Sequence, residues 1–178
     1  MGERVLVAYA TKHGSTAQIA DTIGVALRRA GHDVDVQPVR AVGTVAPYRA
    51  VVVGSAIYDG RWRDDAEEFL DRMGPELRSR DVWLFDSGPL GAYGLREVES
   101  PRSIRRAADR VGARGHATFG GRLAEDAEGF MEPWMPKGDW RDFQEIDRWA
   151  TAVAAAIRPA ERRARGRRPS ARRADQPI

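Results

Sequence analysis

Apolar runs of strand length alternate with stretches of helical spacing along most of the chain, and this limits the fold more than any other feature. Val5–Tyr9 is the first such run. Residues 15 to about 30 follow, with Ile19, Ile23 and Leu27 four apart and Gly31 at the C-terminal position. His32–Val39 alternates through Val34 and Val36, and its Pro38 suits a strand near an edge. Ala50–Gly54 is a continuous β-branched run, as in a strand buried on both faces. Asp64–Arg78 carries Phe69, Leu70, Met73 and Leu77 at helical spacing, and Val82–Phe85 is another uninterrupted strand. Ser100-Pro101 opens a helix whose inner face is Ile104, Ala107, Ala108 and Val111. His116–Phe119 reads as the last strand. Asp142 and Glu145 form a capping box before a final helix with Phe143, Ile146, Ala150, Val153 and Ile157 on one stripe. Strands separated by helices pair in parallel, so the expectation is a doubly wound α/β sheet of five strands with helices on both faces. A ligand site then belongs beyond the carboxyl ends of the strands, where strand order reverses.

Three of those ends carry suggestive loops. Thr11-Lys12-His13-Gly14-Ser15-Thr16 lies between the first strand and the first helix. The opening N–H groups of a helix lack internal partners and sit at the positive end of its dipole, which suits an anion. Gly14 permits close backbone approach, and Thr11, Ser15 and Thr16 add hydroxyls, so the turn suits a phosphate. The plainer alternative is an ordinary capping box made by Ser15 and Gln18. The second loop runs from Gly54 through Ser55, Ala56, Ile57, Tyr58, Asp59, Gly60 and Arg61 to Trp62. The third runs Asp86, Ser87, Gly88, Pro89, Leu90, Gly91, Ala92, Tyr93 and Gly94. Small residues admit backbone amides to a ligand's polar edge, and Tyr58, Trp62 or Tyr93 supplies an aromatic cover. Turn formation alone also accounts for glycine and proline in one such loop.

Composition narrows the chemistry. The 178 residues make room for one domain with a full core. There is no cysteine, which removes disulfides, thiolate metal sites and cysteine nucleophiles, and the three histidines are too scattered for a metal site. No side chain stands out as a dedicated catalytic acid or base. No segment nears the roughly 20 apolar residues of a membrane span, and the first strand begins too early for a signal peptide, so a cytoplasmic location is the expectation. The net charge of +3 is uneven: residues 158–178 hold eight arginines against Glu161 and Asp175, which is +6, leaving −3 for residues 1–157. The expected division is therefore a folded domain over 1–157 and a basic, disordered tail over 158–178. Such a tail could hold weakly to an anionic membrane surface or to nucleic acid.

With these motifs in place, the sequence resembles the flavodoxin family over about residues 4–157, its Thr11–Thr16 turn matching the family's T-x-x-G-[ST]-T pattern. The resemblance implies strand order 2-1-3-4-5 and an FMN cofactor. It implies that Thr11, Lys12, His13, Gly14, Ser15 and Thr16 hold the FMN phosphate. Ser55, Ala56, Ile57, Tyr58, Asp59, Gly60 and Trp62 would then line the ring, opposite Ser87, Gly88, Pro89, Leu90, Gly91, Tyr93 and Gly94. Val51–Gly60 and Asp139–Phe143 are similar to menaquinone-dependent protoporphyrinogen oxidases of that family. Those oxidases carry a longer, basic insertion where Ala124–Gly138 stands here. The implied function is FMN-dependent electron transfer or oxidoreduction, with a redox protein or a quinone- or porphyrin-type molecule as partner. Protoporphyrinogen oxidation is the alternative, and a flavin-free binding module a second one. A response-regulator receiver would need an aspartate at Gly54-Ser55, and a dinucleotide-binding domain would need G-x-G-x-x-G after the first strand; neither is present.

Overall fold

Successive side chains of a strand point to opposite faces, and β1 (Arg4–Ala10) shows the consequence: Leu6, Ala8 and Ala10 join one buried cluster, Val5 and Val7 another. The computed structural model describes residues 2–58, 60–88, 102–125 and 137–158. After β1 come α1 (Ser15–Arg29), β2 (Asp33–Pro38), β3 (Ala50–Tyr58), β4 (Arg61–Trp62) and α2 (Asp64–Leu77). The chain continues through β5 (Asp81–Gly88), α3 (Arg102–Val111), β6 (Gly115–Gly120), β7 (Arg122–Leu123), β8 (Gly138–Asp139) and α4 (Phe143–Ala156).

Five long strands pair in parallel in the order β2-β1-β3-β5-β6, which is 2-1-3-4-5 when only long strands are counted. Helices α2 and α3 pack on the face that holds Leu6, Val51, Val53 and Leu84. Helices α1 and α4 cover Val5, Val7, Val52 and Phe85 on the other. Strand order reverses between β1 and β3, so the crevice there opens beyond Ala10 and Tyr58. The proline-bearing strand β2 is at the edge, as its sequence suggests.

Local signals set the helix ends. Gly31, at φ +95°, follows α1 in the left-handed conformation that glycine adopts without strain. Asp142 Oδ1 accepts the N–H groups of Gln144 and Glu145 at 2.9 and 3.0 Å, capping α4. Asp142→Ala is expected to lower stability by about 1 kcal/mol in urea denaturation, the usual worth of such a cap. The capping box offered as the plainer alternative at Ser15 and Gln18 does not form. Gly14 is the N-cap, at φ +82° and without a side-chain bond, and Ser15 is already helical. The physical reason is that Thr11 Oγ1 takes the Gly14 N–H at 3.0 Å, which turns the chain one residue earlier.

The strands also run further than their apolar cores suggest. Ladder pairing carries β3 to Tyr58 and β5 to Gly88, so Ser55–Tyr58 and Ser87-Gly88 are strand ends and not loops. Antiparallel β7 and β8 form a short ribbon of their own. No helix among the described residues is long and apolar enough to cross a membrane. Asp59, residues 89–101, residues 126–136 and residues 159–178 lie outside the described residues. With them go the expected sites at Pro89, Leu90, Gly91, Tyr93 and Gly94, the Ser100-Pro101 helix start and most of the basic tail.

Candidate functional site

The first intrahelical bond of α1 runs from Gln18 N–H to the Gly14 carbonyl at 3.2 Å. The N–H groups of Ser15, Thr16 and Ala17 therefore precede the helical ladder, at the positive end of the dipole. Ser15 and Thr16 border a cavity at the carboxyl ends of the strands. Thr11, His13, Ser15 and Thr16 line it from the β1–α1 side, and Ala56, Ile57 and Tyr58 from the end of β3. Ser87 and Gly88 line it from β5, and Gly121, Arg122, Leu123 and Trp140 complete it. The cleft holds about 530 Å³ of empty space, its open mouth included.

Two hydroxyls tie the β1–α1 wall to the β5 wall. Thr16, fully buried on α1, shares a 2.8 Å hydrogen bond with Ser87 on β5. A second clasp joins α1 to the ribbon, where Arg122 N–H donates to Ser15 Oγ at 2.9 Å. That bond uses a lone pair of Ser15 and leaves its O–H to donate into the cavity. At the mouth, Lys12 Nζ stands 5.2 Å from the Tyr58 ring centroid, and the His13 ring lies tilted against Tyr58 at 6.4 Å.

Several residues singled out from sequence have other positions. Ser55 is fully buried, and its hydroxyl donates to the Ala56 carbonyl at 2.9 Å while accepting Arg63 N–H at 3.0 Å. It shapes the β3–β4 hairpin from within. Trp62 is 3% exposed and turned into the core, with its indole N–H 3.4 Å from Asp86 Oδ2. His116 reaches that same oxygen at 2.7 Å, so a buried carboxylate braces the hairpin from behind. Lys12, Gly14 and Gly60 are not among the residues that line the cavity. Gly60 takes φ +68°, a turn conformation that favours glycine.

The fourth wall is what sequence reasoning missed. Gly121 N–H donates to the Gly88 carbonyl at 2.8 Å and Trp140 N–H to the Gly121 carbonyl at 3.0 Å, which brings the ribbon against the end of β5. Arg141 then fastens the ribbon to α1. Its guanidinium holds Asp139 through both oxygens, at 2.7 and 2.5 Å, and also donates to Gln18 Oε1. The Arg141 side-chain bonds keep the Asp139 carboxyl below its usual range, against burial that would raise it. The available signals were Gly120-Gly121, two residues without side chains at the end of the last strand, and the resemblance carried by Asp139–Phe143, neither of which places a wall on the cleft.

The donor set suits a phosphomonoester joined to a flat ring. Unpaired helix-start amides and the hydroxyls of Ser15 and Thr16 converge at one end. Tyr58, Ile57, Leu123 and Trp140 give the rest an apolar and aromatic lining. No cluster of three or more histidine or acidic side chains suited to a metal ion occurs among the described residues.

Several solved structures share this fold. A flavodoxin from the domain Archaea superposes with a TM-score of 0.62 at 18% identity, over 86% of this chain and 98% of that one. Two-electron reduced Megasphaera elsdenii flavodoxin gives 0.62 at 21% identity, over 85% and 99%. Rubredoxin:oxygen oxidoreductase from Desulfovibrio gigas gives 0.61 at 14% identity, over 86% of this chain and 36% of that larger one. At such identities the likeness is one of fold. No curated protein matches in sequence. The family model described as "Flavodoxin domain" matches residues 6–135. With the parallel sheet order and the cavity at its switch point, that match establishes that the chain belongs to the flavodoxin domain family.

Proposed function

We propose that this protein binds FMN in the cleft between the β1–α1 turn and the ends of β3 and β5, and that it carries electrons to or from a partner. The observation that carries the reading is the convergence of an open helix start and an aromatic-lined cleft at one topological switch point. When bound, FMN supplies one- and two-electron chemistry, and the protein tunes and orients it. The amides of Ser15, Thr16 and Ala17, with the Ser15 and Thr16 hydroxyls, bind the phosphate. Ala56, Ile57 and Tyr58 flank the ring on one side, and Leu123 and Trp140 shield it from water on the ribbon side. No carboxylate lines the described cavity, and its one histidine, His13, is exposed at the mouth. A cleft whose described lining offers amides, hydroxyls and aromatic rings holds and orients its ligand, which suits electron transfer better than demanding proton chemistry.

The purified protein is expected to show absorption bands near ~375 and ~450 nm, and its apoprotein to take up FMN in calorimetry. Absence of both would leave a flavin-free binding module. One observation favours a second reading, quinone-dependent protoporphyrinogen oxidation. Trp140, from the segment similar to those oxidases, faces the cleft, where a flat macrocycle could meet it. Oxidation of protoporphyrinogen with a quinone acceptor is the assay that separates the two.

A further inference from the structure

The cleft is lined by a basic residue that the phosphate-turn pattern does not include. Arg122 opens β7, just past the last strand of the main sheet, and lines the cavity beside the start of α1. Its backbone is pinned there by the 2.9 Å bond from its N–H to Ser15 Oγ. Its own guanidinium forms no hydrogen bond or ion pair among the described residues. Its register partner across the ribbon, Asp139, attracts it through charge alone, since both oxygens of Asp139 are taken by Arg141. An exposed guanidinium with no hydrogen bond among the described residues, on a residue that lines the same cleft as the helix-start amides and hydroxyls, is available to an anion.

We propose that Arg122 is the charge partner of the FMN phosphate, so that this protein separates FMN from riboflavin by a guanidinium as well as by helix-start amides. The proposal rests on the FMN reading above. A phosphomonoester carries close to two negative charges near neutral pH. Amides and hydroxyls solvate that charge but do not neutralise it; one arginine offsets part of it with a forked pair of hydrogen bonds. Because the guanidinium is exposed, its contribution is modest and sensitive to salt.

The test compares FMN and riboflavin binding to apoprotein by quenching of flavin fluorescence, at low and high salt, for the wild type, Arg122→Ala and Arg122→Lys. Arg122→Ala should weaken FMN binding about tenfold at low salt and leave riboflavin binding unchanged. Arg122→Lys, which keeps the charge and loses the fork, should fall between the two. The salt dependence of FMN binding should flatten in the alanine variant. Equal losses for FMN and riboflavin would mean that Arg122 only builds the wall, and unchanged FMN binding would mean no role; either result overturns the proposal. Failure of the wild type to bind either flavin would instead overturn the FMN reading, and this inference with it.

Discussion

Asp81→Asn is expected to cost about 3 kcal/mol of folding stability. Asp81 begins β5 at the end of the sheet away from the cleft, and its carboxylate is fully buried. Three arginines converge on it. Arg158 donates from its backbone N–H at 3.0 Å and from Nη2 at 2.5 Å, while Arg114 and Arg49 stand at 3.4 and 3.6 Å. Arg49 also donates to the Arg158 carbonyl at 3.0 Å, and Arg114 to the Ala156 carbonyl at 2.9 Å, so the cluster locks the end of α4 onto the sheet. Removing one member of a buried pair leaves uncompensated charge, at about 3–5 kcal/mol. The lower end applies because the Arg158 side chain is 63% exposed, and water replaces part of the lost interaction.

Melting should fall by roughly 6–12 °C, and the urea midpoint should drop with an unchanged slope. The effect has a defined pH window. Burial would raise the Asp81 carboxyl, but the side-chain and backbone bonds from Arg158, with the charges of Arg49 and Arg114, hold it below its usual value. A depressed carboxyl contributes stability that is complete above its unfolded pKa of about 4 and is lost as pH falls through the folded value. The gap between wild type and Asp81→Asn should therefore be widest at neutral pH and close below about pH 4. A difference under about 0.5 kcal/mol at pH 7 would show that the cluster is ornamental.

The same cluster marks a limit of sequence reading. Arg158 reads as the first residue of a basic tail, because nothing local distinguishes it from the arginines that follow. Its partner, Asp81, is 77 residues away and visible only once the sheet is folded. Elements whose burial is written in their own periodicity were legible: the five strands, α1, α2 and α4, and the edge position of β2. Side-chain direction near the cleft was not. Trp62 reads as an aromatic cover in a glycine-bearing loop, yet the Ile57–Trp62 register of the hairpin turns it inward toward Asp86. Parity in a two-residue strand depends on the turn before it, which residue type alone does not determine. Gly54 likewise reads as the small residue that opens a ligand loop. A Cβ there would lie 2.0 Å from the buried Phe85 ring, so its smallness answers to packing across the sheet. The ribbon of β7 and β8 escaped entirely, since strands of two residues carry no period.

Gly120→Ala should act on that ribbon and so on the cleft. A Cβ at Gly120 would sit 1.9 Å from the Trp140 carbonyl oxygen and 2.7 Å from its carbon. Both are backbone atoms, so no rotamer change relieves the overlap, and the segment entering α4 must move away from β6. The first casualty is the 3.0 Å bond from Trp140 N–H to Gly121, and with it the seat of Trp140 in the cavity wall. Overpacking of this kind costs about 3 kcal/mol, and loss of one ring-facing wall should weaken flavin binding on the order of a hundredfold, about 2.7 kcal/mol. Gly74→Ala is the control, since its new methyl meets nothing within 4 Å. If the control and Gly120→Ala bind FMN equally well, the ribbon is not a wall of the site. If Gly120→Ala weakens FMN and riboflavin by the same factor, the wall serves the ring, which separates its role from that assigned to Arg122 at the phosphate.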